Sequence, residues 1–216
     1  MIELRPMGDR AFLARFAGEP EARAWSALVS QRALVGVIDV VTAYANVAVI
    51  ADPDRVDLDE LERILAGIRA DPEGKSPGRL HEIPVLYDGE DLPEVARHAG
   101  ISEGDVIALH SGAEYVVQAV GFLPGFPYAG RLPEPLHGLP RRPSPRVRVP
   151  AGSVAIAGEQ VGIYPAESPG GWNLLGRTPL CIVDLETGFF PIEAGDRLRF
   201  RPIDAAAFRV LYGTRT

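Results

Sequence analysis

Gly121-Phe-Leu-Pro-Gly-Phe-Pro-Tyr128 is the first of four glycine- and proline-rich segments in this chain. Glycine reaches backbone conformations that other residues avoid and lets a ligand approach the main chain, whereas proline fixes φ. Such loops are rigid and accessible, which suits a site built on a β scaffold. For any single segment, the alternative is that its glycines and prolines only form turns between the strands of a strand-rich domain. The other segments are Pro140-Arg-Arg-Pro-Ser-Pro-Arg146, Pro150-Ala-Gly-Ser-Val-Ala-Ile-Ala-Gly158 and Ser168-Pro-Gly-Gly-Trp-Asn173.

These segments also carry a resemblance to a known family. The chain resembles the 5-oxoprolinase B-subunit family, also described as the KipI-like or allophanate hydrolase subunit 1 family, whose motifs follow in the same order. It departs from the family pattern at Ala129, Arg131 and Val161, where Leu, Gly and Thr are usual. The departures concern fine substrate contacts. The matching ranges are Gly121–Pro133, Pro140–Arg146, Val149–Pro165 and Ser168–Pro179.

Composition limits the classes of function. The net charge of -7 and the pI near 5.2 argue against a nucleic-acid partner, because binding phosphates needs a concentrated positive field. Lys75 is the only lysine, which excludes lysine-dependent chemistry elsewhere in the chain. Cys181 is the only cysteine and lies in an apolar run, so we expect a reducing, cytoplasmic setting. No signal peptide and no membrane-spanning apolar stretch is expected.

Hydrophobic periodicity predicts the elements of both halves. In the first half, the order of strand, helix, two strands and helix indicates a small α+β sandwich, and the polar stretch Ala70–Arg79 is the best linker. The predicted elements there are Ala11–Phe16, Glu19–Leu34, Val37–Thr42, Asn46–Ile50 and Asp57–Arg69. The second half begins with a strand at Glu82–Tyr87, helices at Asp91–Ala99 and Ser102–Leu109, and short strands from Glu114 onward.

Frequent alternation of strand and turn in the second half suggests a closed or nearly closed barrel. The resemblance implies that this barrel is similar to cyclophilin. We therefore expect an α+β N-terminal domain followed by a mainly-β, cyclophilin-like barrel domain. The predicted boundaries are 1–79 for the sandwich and 80–216 for the barrel.

Two residues are candidates for catalysis. His110 ends a predicted helix and could move a proton near neutral pH, although a helix-terminal histidine is also a common structural cation. The resemblance places a histidine at this position too. Arg146 belongs to a dense basic patch with Arg141, Arg142 and Arg148, and a guanidinium can grip a carboxylate or phosphate with two hydrogen bonds. We expect Arg146 to face the site and Arg148 to face solvent; a strand with its arginines in water or on a partner protein is the alternative.

Polar and aromatic residues beside the glycines have the mixture expected of a small polar-ligand pocket, although each alone could be a satisfied core group. No metal site is predicted, because the four histidines lie far apart in the sequence, and no hydrolase nucleophile motif is present. The predicted substrate-binding residues are Tyr128, Gln160, Tyr164, Gly170, Gly171, Trp172 and Asn173.

The resemblance implies a hydrolase subunit that acts with 5-oxoprolinase subunits C and A to open 5-oxo-L-proline to L-glutamate. ATP would be consumed by that complex, although the sequence contains no nucleotide-binding motif that would assign ATP to this chain. The alternative from a different class is a KipI-like inhibitor of a sensor histidine kinase, which requires an exposed docking surface. A peptidyl-prolyl isomerase rests on analogy with the barrel alone.

Overall fold

The computed structural model describes residues 2–69 and 78–215. They belong to two compact units, Met1–Pro77 and Gly78–Thr216. Most of the predicted linker at 70–79 lies outside the described residues. Both units combine helices with β-sheet, and the sheet is mostly antiparallel.

The first unit is an antiparallel sheet with two helices. Its strands are ordered β1-β2-β4-β3, and β1 is an edge strand that was not predicted from the sequence. Trp25 and Val29 of α1 and Leu61 and Leu65 of α2 enter one buried cluster with the alternate residues of the strands. The elements are β1 (Glu3–Pro6), β2 (Ala11–Arg15), α1 (Glu19–Gln31), β3 (Val37–Ala43), β4 (Asn46–Ala51) and α2 (Leu58–Gly67).

The second unit contains two sheets in its described part. The larger has the order β5-β13-β6-β7-β10-β9-β12, with only β5 and β13 parallel, and the smaller pairs β8 with β11. Its first elements are β5 (Leu80–Val85), α3 (Leu92–Ala99), α4 (Glu103–Ser111), β6 (Glu114–Val120), β7 (Pro127–Gly130) and a 3₁₀ turn (Glu134–Leu136). The others are β8 (Arg146–Val149), β9 (Ser153–Ala157), β10 (Gln160–Ile163), β11 (Ser168–Gly170), β12 (Asn173–Arg177), β13 (Arg197–Pro202) and α5 (Ala205–Leu211).

The larger sheet is not closed by a continuous ladder of strands in the part of the chain that the structure describes. A single bridge joins the residue after β5 to the last residue of β12, where Leu86 and Arg177 exchange two backbone hydrogen bonds of 2.9 Å. The closed or nearly closed barrel predicted from the sequence is therefore not confirmed. What holds is the coarser description of a mixed, mostly antiparallel sheet.

Side chains on the larger sheet alternate between two buried clusters. Ile156 and Val161 enter the main core of the second unit, together with Val95 and Val106 from the helices. Ala155 enters a smaller aromatic cluster on the opposite face. Because successive strand residues point to opposite faces, β9 contributes to both clusters. The sheet therefore has one face on the main core and a second face on the aromatic cluster.

Helix α4 begins where the sequence predicts. The Ser102 side chain accepts from the Asp105 N–H at 3.1 Å, and the Asp105 carboxylate accepts from the Ser102 N–H at 3.2 Å. This reciprocal pair is the predicted capping box, which is confirmed. The cap fixes the start of the helix that ends at Ser111 and so sets the position of His110 near its end.

Candidate functional site

An aromatic cluster occupies the second face of the larger sheet. The rings of Phe126 and Trp172 meet edge to face with centroids 5.5 Å apart, and Tyr128 contacts both rings. Tyr164 meets Phe126 edge to face at 5.2 Å. These edge-to-face contacts match the charge distribution of the rings and fix their orientations. Three of the predicted site residues, Tyr128, Tyr164 and Trp172, are thus brought together.

Two glycines allow this cluster to form. A Cβ on Gly170 would lie 2.8 Å from carbons of the Tyr164 ring and would also collide with its hydroxyl. A Cβ on Gly162 would lie 2.6 Å from Phe126 Cζ. Neither distance is tolerable for a carbon atom, so both rings need glycine beneath them. Gly170 therefore has a packing role in the wall of this face.

Tyr164 is nearly completely buried at the back of the cluster. Burial raises the pKa of its hydroxyl, although a backbone hydrogen bond with Trp172 and the positive charge of Arg141 act in the opposite direction. The hydroxyl is therefore protonated at neutral pH. It is a neutral polar group inside an apolar wall.

The amide side chains have different positions. Asn173 is buried, and its Nδ2 donates to the carbonyls of Pro140 at 3.0 Å and Ile156 at 3.3 Å. Gln160 is half-buried on β10 and donates to Gln118 Oε1 at 3.3 Å. Asn173 therefore holds the Pro140 segment against the sheet, whereas Gln160 lies nearer the surface of the same unit.

A buried carboxylate joins the loops of this face. Asp91 is only 3% exposed and accepts four hydrogen bonds, from Arg142 Nη1 at 2.6 Å, from Arg146 Nη2 at 2.7 and 2.8 Å, and from the Leu174 N–H at 2.7 Å. Two arginines and one backbone donor compensate its charge and its desolvation. Asp91 thereby connects the start of α3, the Pro140–Arg146 segment and β12.

Arg146 is engaged by protein groups on every guanidinium nitrogen. Nε donates to Glu90 at 2.5 Å, Nη2 donates to Asp91, and Nη1 lies 3.5 Å from the Trp172 carbonyl oxygen. Burial opposes its charged form, but the hydrogen bonds to Asp91 and Glu90 outweigh burial and raise the pKa of Arg146. In this arrangement Arg146 holds the site together, and its predicted direct contact with an anion stays a prediction.

The two arginines of β8, Arg146 and Arg148, have different surroundings. The Arg146 side chain is 14% exposed, whereas the Arg148 side chain is 75% exposed and pairs with Glu167 at 2.7 Å. Between its two positions paired with β11, β8 advances one residue more than β11 does. Such a bulge breaks the simple alternation of side chains and lets residues 146 and 148 face different surroundings.

Arg141 is the exposed arginine of the Pro140–Arg146 segment. Its guanidinium carbon lies 5.9 Å from the centroid of the Trp172 ring, within cation–π range. Among the residues that the structure describes, no carboxylate forms an ion pair with Arg141. By contrast, Arg142 and Arg148 each pair with one carboxylate and Arg146 pairs with two.

His110 lies elsewhere, in the main core of the second unit. It is fully buried against the rings of Phe200 and Tyr115, and its Nδ1 lies 2.7 Å from the Tyr87 hydroxyl. Its Nε2 has no hydrogen-bond partner among the described residues. Burial lowers the pKa of His110 to about 3, so the imidazole is neutral at pH 7. The structure does not bring His110 to the aromatic face, and its predicted catalytic role stays a prediction that this burial does not favour.

Asp91 is a residue of this site that was not predicted from the sequence. It was expected only as the first residue of a helix, but its side chain makes no capping hydrogen bond and turns to the arginines instead. A possible sequence signal was the pair Glu90-Asp91 in the same unit as a cluster of arginines. That signal is weak, because Arg146 lies 55 positions away and acidic residues are common at helix starts.

Within residues 2–69 and 78–215, no group of three or more His, Cys, Asp or Glu is arranged to hold a metal ion. In the same ranges, no helix has both the length and the apolar character needed to cross a membrane.

A comparison with known protein families shows the class of protein to which this chain belongs. Residues 2–188 match the carboxyltransferase domain family, subdomain C and D. The match covers most of the chain, including β1 to β12 and the aromatic face. The class is therefore that of carboxyltransferase subdomain C and D proteins.

Curated relatives identify the family more closely. The chain is 44% identical over 171 residues to the B subunit of 5-oxoprolinase from Escherichia coli O157:H7, a match that covers 77% of this chain and 78% of that protein. It is 36% identical over 222 residues to the corresponding B subunit from Bacillus subtilis, covering 92% and 91% of the two chains. The chain belongs to the 5-oxoprolinase B-subunit family, as its motifs indicate.

Solved structures show the same fold. The crystal structure of TTHA0988 superposes with a TM-score of 0.81 at 42% identity and covers 91% of this chain, which spans only 40% of that protein. The Kluyveromyces lactis urea amidolyase superposes with a TM-score of 0.72 over 97% of this chain, which spans 15% of it. At 19% identity the second likeness concerns the fold alone.

Proposed function

We propose that this chain is one component of an ATP-dependent 5-oxoprolinase that opens 5-oxo-L-proline to L-glutamate. The observation that carries the proposal is the 36% to 44% identity, over most of the chain, to curated proteins named as the B subunit of 5-oxoprolinase. These relatives are named as enzyme components, which supports this reading over the kinase-inhibitor alternative.

The aromatic face of the second unit is the proposed substrate site. A lactam is a small flat ring with a polar amide edge, and the face offers edge-to-face rings beside hydroxyl, amide and backbone groups. The Asp91 cluster holds the surrounding loops in place before a substrate arrives. The residues proposed to line or shape the site are Tyr128, Gln160, Tyr164, Gly170, Gly171, Trp172 and Asn173, with Arg146 behind them.

Ring opening adds water across the amide C–N bond, so that the carbonyl carbon gains an oxygen and the nitrogen gains a proton. An unactivated lactam resists this step, and ATP consumption by the complex supplies the driving force. Fixed donors near the amide oxygen would stabilise the charge that develops there. In this proposal the chain binds and orients the ring, and ATP is assigned to the complex.

The proposed partners are 5-oxoprolinase subunits C and A. The relatives are named as one lettered component of an enzyme, which implies companion subunits. TTHA0988 adds support, because a region equivalent to this chain makes up 40% of that longer polypeptide. A reaction that consumes ATP also supports a cytoplasmic location.

The finer description of the fold is part of the same proposal. We assign the larger sheet to a cyclophilin-like barrel, on the ground that the Leu86–Arg177 bridge links the two ends of its strand order. We likewise assign residues 1–79 and 80–216 to two domains. The two compact units, Met1–Pro77 and Gly78–Thr216, support that boundary.

An omission assay tests the proposed function. The purified chain, the companion subunits without it, and the complete mixture are each supplied with ATP and 5-oxo-L-proline, and glutamate release is measured. We expect glutamate only from the complete mixture. Appreciable glutamate from the chain alone, or from the companions without it, would refute the proposal.

A further inference from the structure

The arginines of the basic segment differ in whether a protein carboxylate already neutralises them. Arg142 and Arg146 share the buried Asp91, and Arg148 pairs with Glu167. Arg141 has no such partner among the described residues, and its side chain is exposed. A guanidinium without a carboxylate, next to a polar and aromatic wall, is able to accept an anionic ligand without first breaking an ion pair.

The backbone on both sides of Arg141 is fixed to the wall of the site. The Pro140 carbonyl accepts from Asn173 Nδ2 at 3.0 Å, and the Arg142 N–H donates to the Gly171 carbonyl at 2.7 Å. The base of the Arg141 side chain is therefore held against the segment that carries Trp172. An anchored base lowers the entropy that the side chain loses when it binds a ligand.

The Arg141 guanidinium is also oriented. It lies over the Trp172 ring at 5.9 Å, and its positive charge acts on the Tyr164 hydroxyl. A guanidinium held over a ring by a cation–π contact still has N–H groups that can form two parallel hydrogen bonds with a carboxylate. The donors thus belong to an exposed side chain that contacts the aromatic face.

From this geometry we infer that Arg141 binds the carboxylate of the substrate and so selects small ring amides that carry an acid group. The inference rests on the proposed function and adds a specificity residue to it. Arg146 and Arg142 then act as positioning residues, which hold the Arg141 segment through Asp91. The ring of the substrate would lie toward Trp172 and Tyr164.

The test compares variants in the assembled complex with two ring compounds. Arg141→Gln removes the charged guanidinium, and Arg141→Lys keeps the positive charge without the two parallel N–H donors. Arg148→Gln is the matched control, because it removes another exposed arginine. KM and kcat are measured for 5-oxo-L-proline. Inhibition constants are measured for 2-pyrrolidinone, which has the same ring without a carboxylate. Calorimetric titration with 5-oxo-L-proline gives the affinity independently of turnover.

We expect Arg141→Gln to raise KM for 5-oxo-L-proline at least about 30-fold, because the bound ring would cover this guanidinium and a bidentate charged contact shielded from water is costly to lose. The inhibition constant of 2-pyrrolidinone should stay within about twofold, because that ring lacks the acid group. The KM of Arg141→Lys should lie between those of the wild type and Arg141→Gln, since a single ammonium forms a weaker contact. Arg148→Gln should behave as wild type.

Two results would overturn the inference. One is an effect of Arg141→Gln no larger than that of Arg148→Gln, and the other is an equal loss for both ring compounds. If the wild-type complex binds 5-oxo-L-proline through Arg141 without releasing glutamate, the proposed function fails and the carboxylate contact stands. If the complex neither binds nor turns over this compound, both fail.

Discussion

At the scale of the residue, the surroundings of each charged or titratable side chain separate residues that look alike in the sequence. Arg146 lies against the buried Asp91, whereas Arg148 of the same strand is in solvent with Glu167. An ion pair that stabilises a buried carboxylate costs several kcal/mol when one partner is removed, while an exposed pair is nearly neutral. The environment, and not the residue type, therefore decides which arginine matters.

Replacing Arg146 by Gln should lower the free energy of unfolding by about 2 kcal/mol, because Asp91 keeps Arg142 but loses two charged hydrogen bonds. The substitution should also lower the catalytic efficiency of the complex, since the loops of the site lose the hydrogen bonds between Arg146 and Asp91. Arg148→Gln is the control and should change neither quantity measurably. Urea denaturation and glutamate release measure the two effects. Equal losses, or a larger loss at Arg148, would overturn this assignment.

The burial of His110 predicts a pH dependence of stability. An unfolded chain protonates this histidine below a pKa near 6.5, whereas the folded chain holds it neutral down to about 3. The contribution of His110 to the free energy of unfolding is therefore fully present above pH 6.5 and is lost progressively as the pH falls toward 3. The variant His110→Gln keeps a polar side chain that can hydrogen-bond to the Tyr87 hydroxyl, but this side chain does not titrate.

Between pH 7 and pH 5, the wild-type chain should lose about 2 kcal/mol more unfolding free energy than His110→Gln does. Urea denaturation at both pH values measures this difference. Equal losses in the two proteins would show that His110 does not titrate between the folded and unfolded states in this way.

Part of this picture could be predicted from the sequence. Arg146 was separated from Arg148, and the aromatic residues of the later segments were gathered into one site. Asp91 could not be found, because its contact joins residues 55 positions apart, nor could the burial of His110, which depends on Phe200 of β13. Both depend on tertiary contacts that no local pattern encodes.

At the scale of the element, short irregular strands carry the site. β11 has only three residues and pairs with β8 across a bulge, so that neither strand has a strong periodic pattern. Residues Arg146–Val149 form a strand, which the sequence offered only as the alternative interpretation of the basic segment, and Ser168–Gly170 was expected to lie in a glycine-rich loop. Its pairing partner, and not its own composition, makes that segment a strand.

The packing of Gly170 on Tyr164 predicts a contrast with its neighbour. Gly170→Ala places a methyl group within about 3 Å of the Tyr164 ring and should cost about 1 to 3 kcal/mol through displacement of that ring. Gly171→Ala is the matched control, because its methyl group would lie 3.6 Å from the nearest atom. Urea denaturation measures the change in the free energy of unfolding for both variants. A loss at Gly171 that equals the loss at Gly170 would contradict the packing role.

At the scale of the whole molecule, the chain separates into two units with separate buried clusters. The aromatic face and the Asp91 cluster belong entirely to the second unit. The change of composition at 70–79 is visible in the sequence, since proline, glycine and polar residues stand out locally. The order of the strands is not, because it depends on pairing between distant segments.

If residues 70–79 link two domains, limited trypsin digestion should cut at Lys75 or Arg79 and leave two folded fragments. Arginines elsewhere serve as internal controls, because cleavage within a folded unit should be slower. Mass spectrometry identifies the sites of cleavage. Recovery of a single resistant core that spans this region would place the boundary elsewhere.

The second face of the larger sheet is the place where we propose that the lactam binds. A crystal structure of the assembled complex with 5-oxo-L-proline and a non-hydrolysable ATP analogue would test this directly. We expect density for the lactam beside Trp172 and Tyr164, with its carboxylate within about 3.2 Å of the Arg141 guanidinium. Density for the lactam in a companion protein, with this face empty or covered by protein, would contradict the proposal.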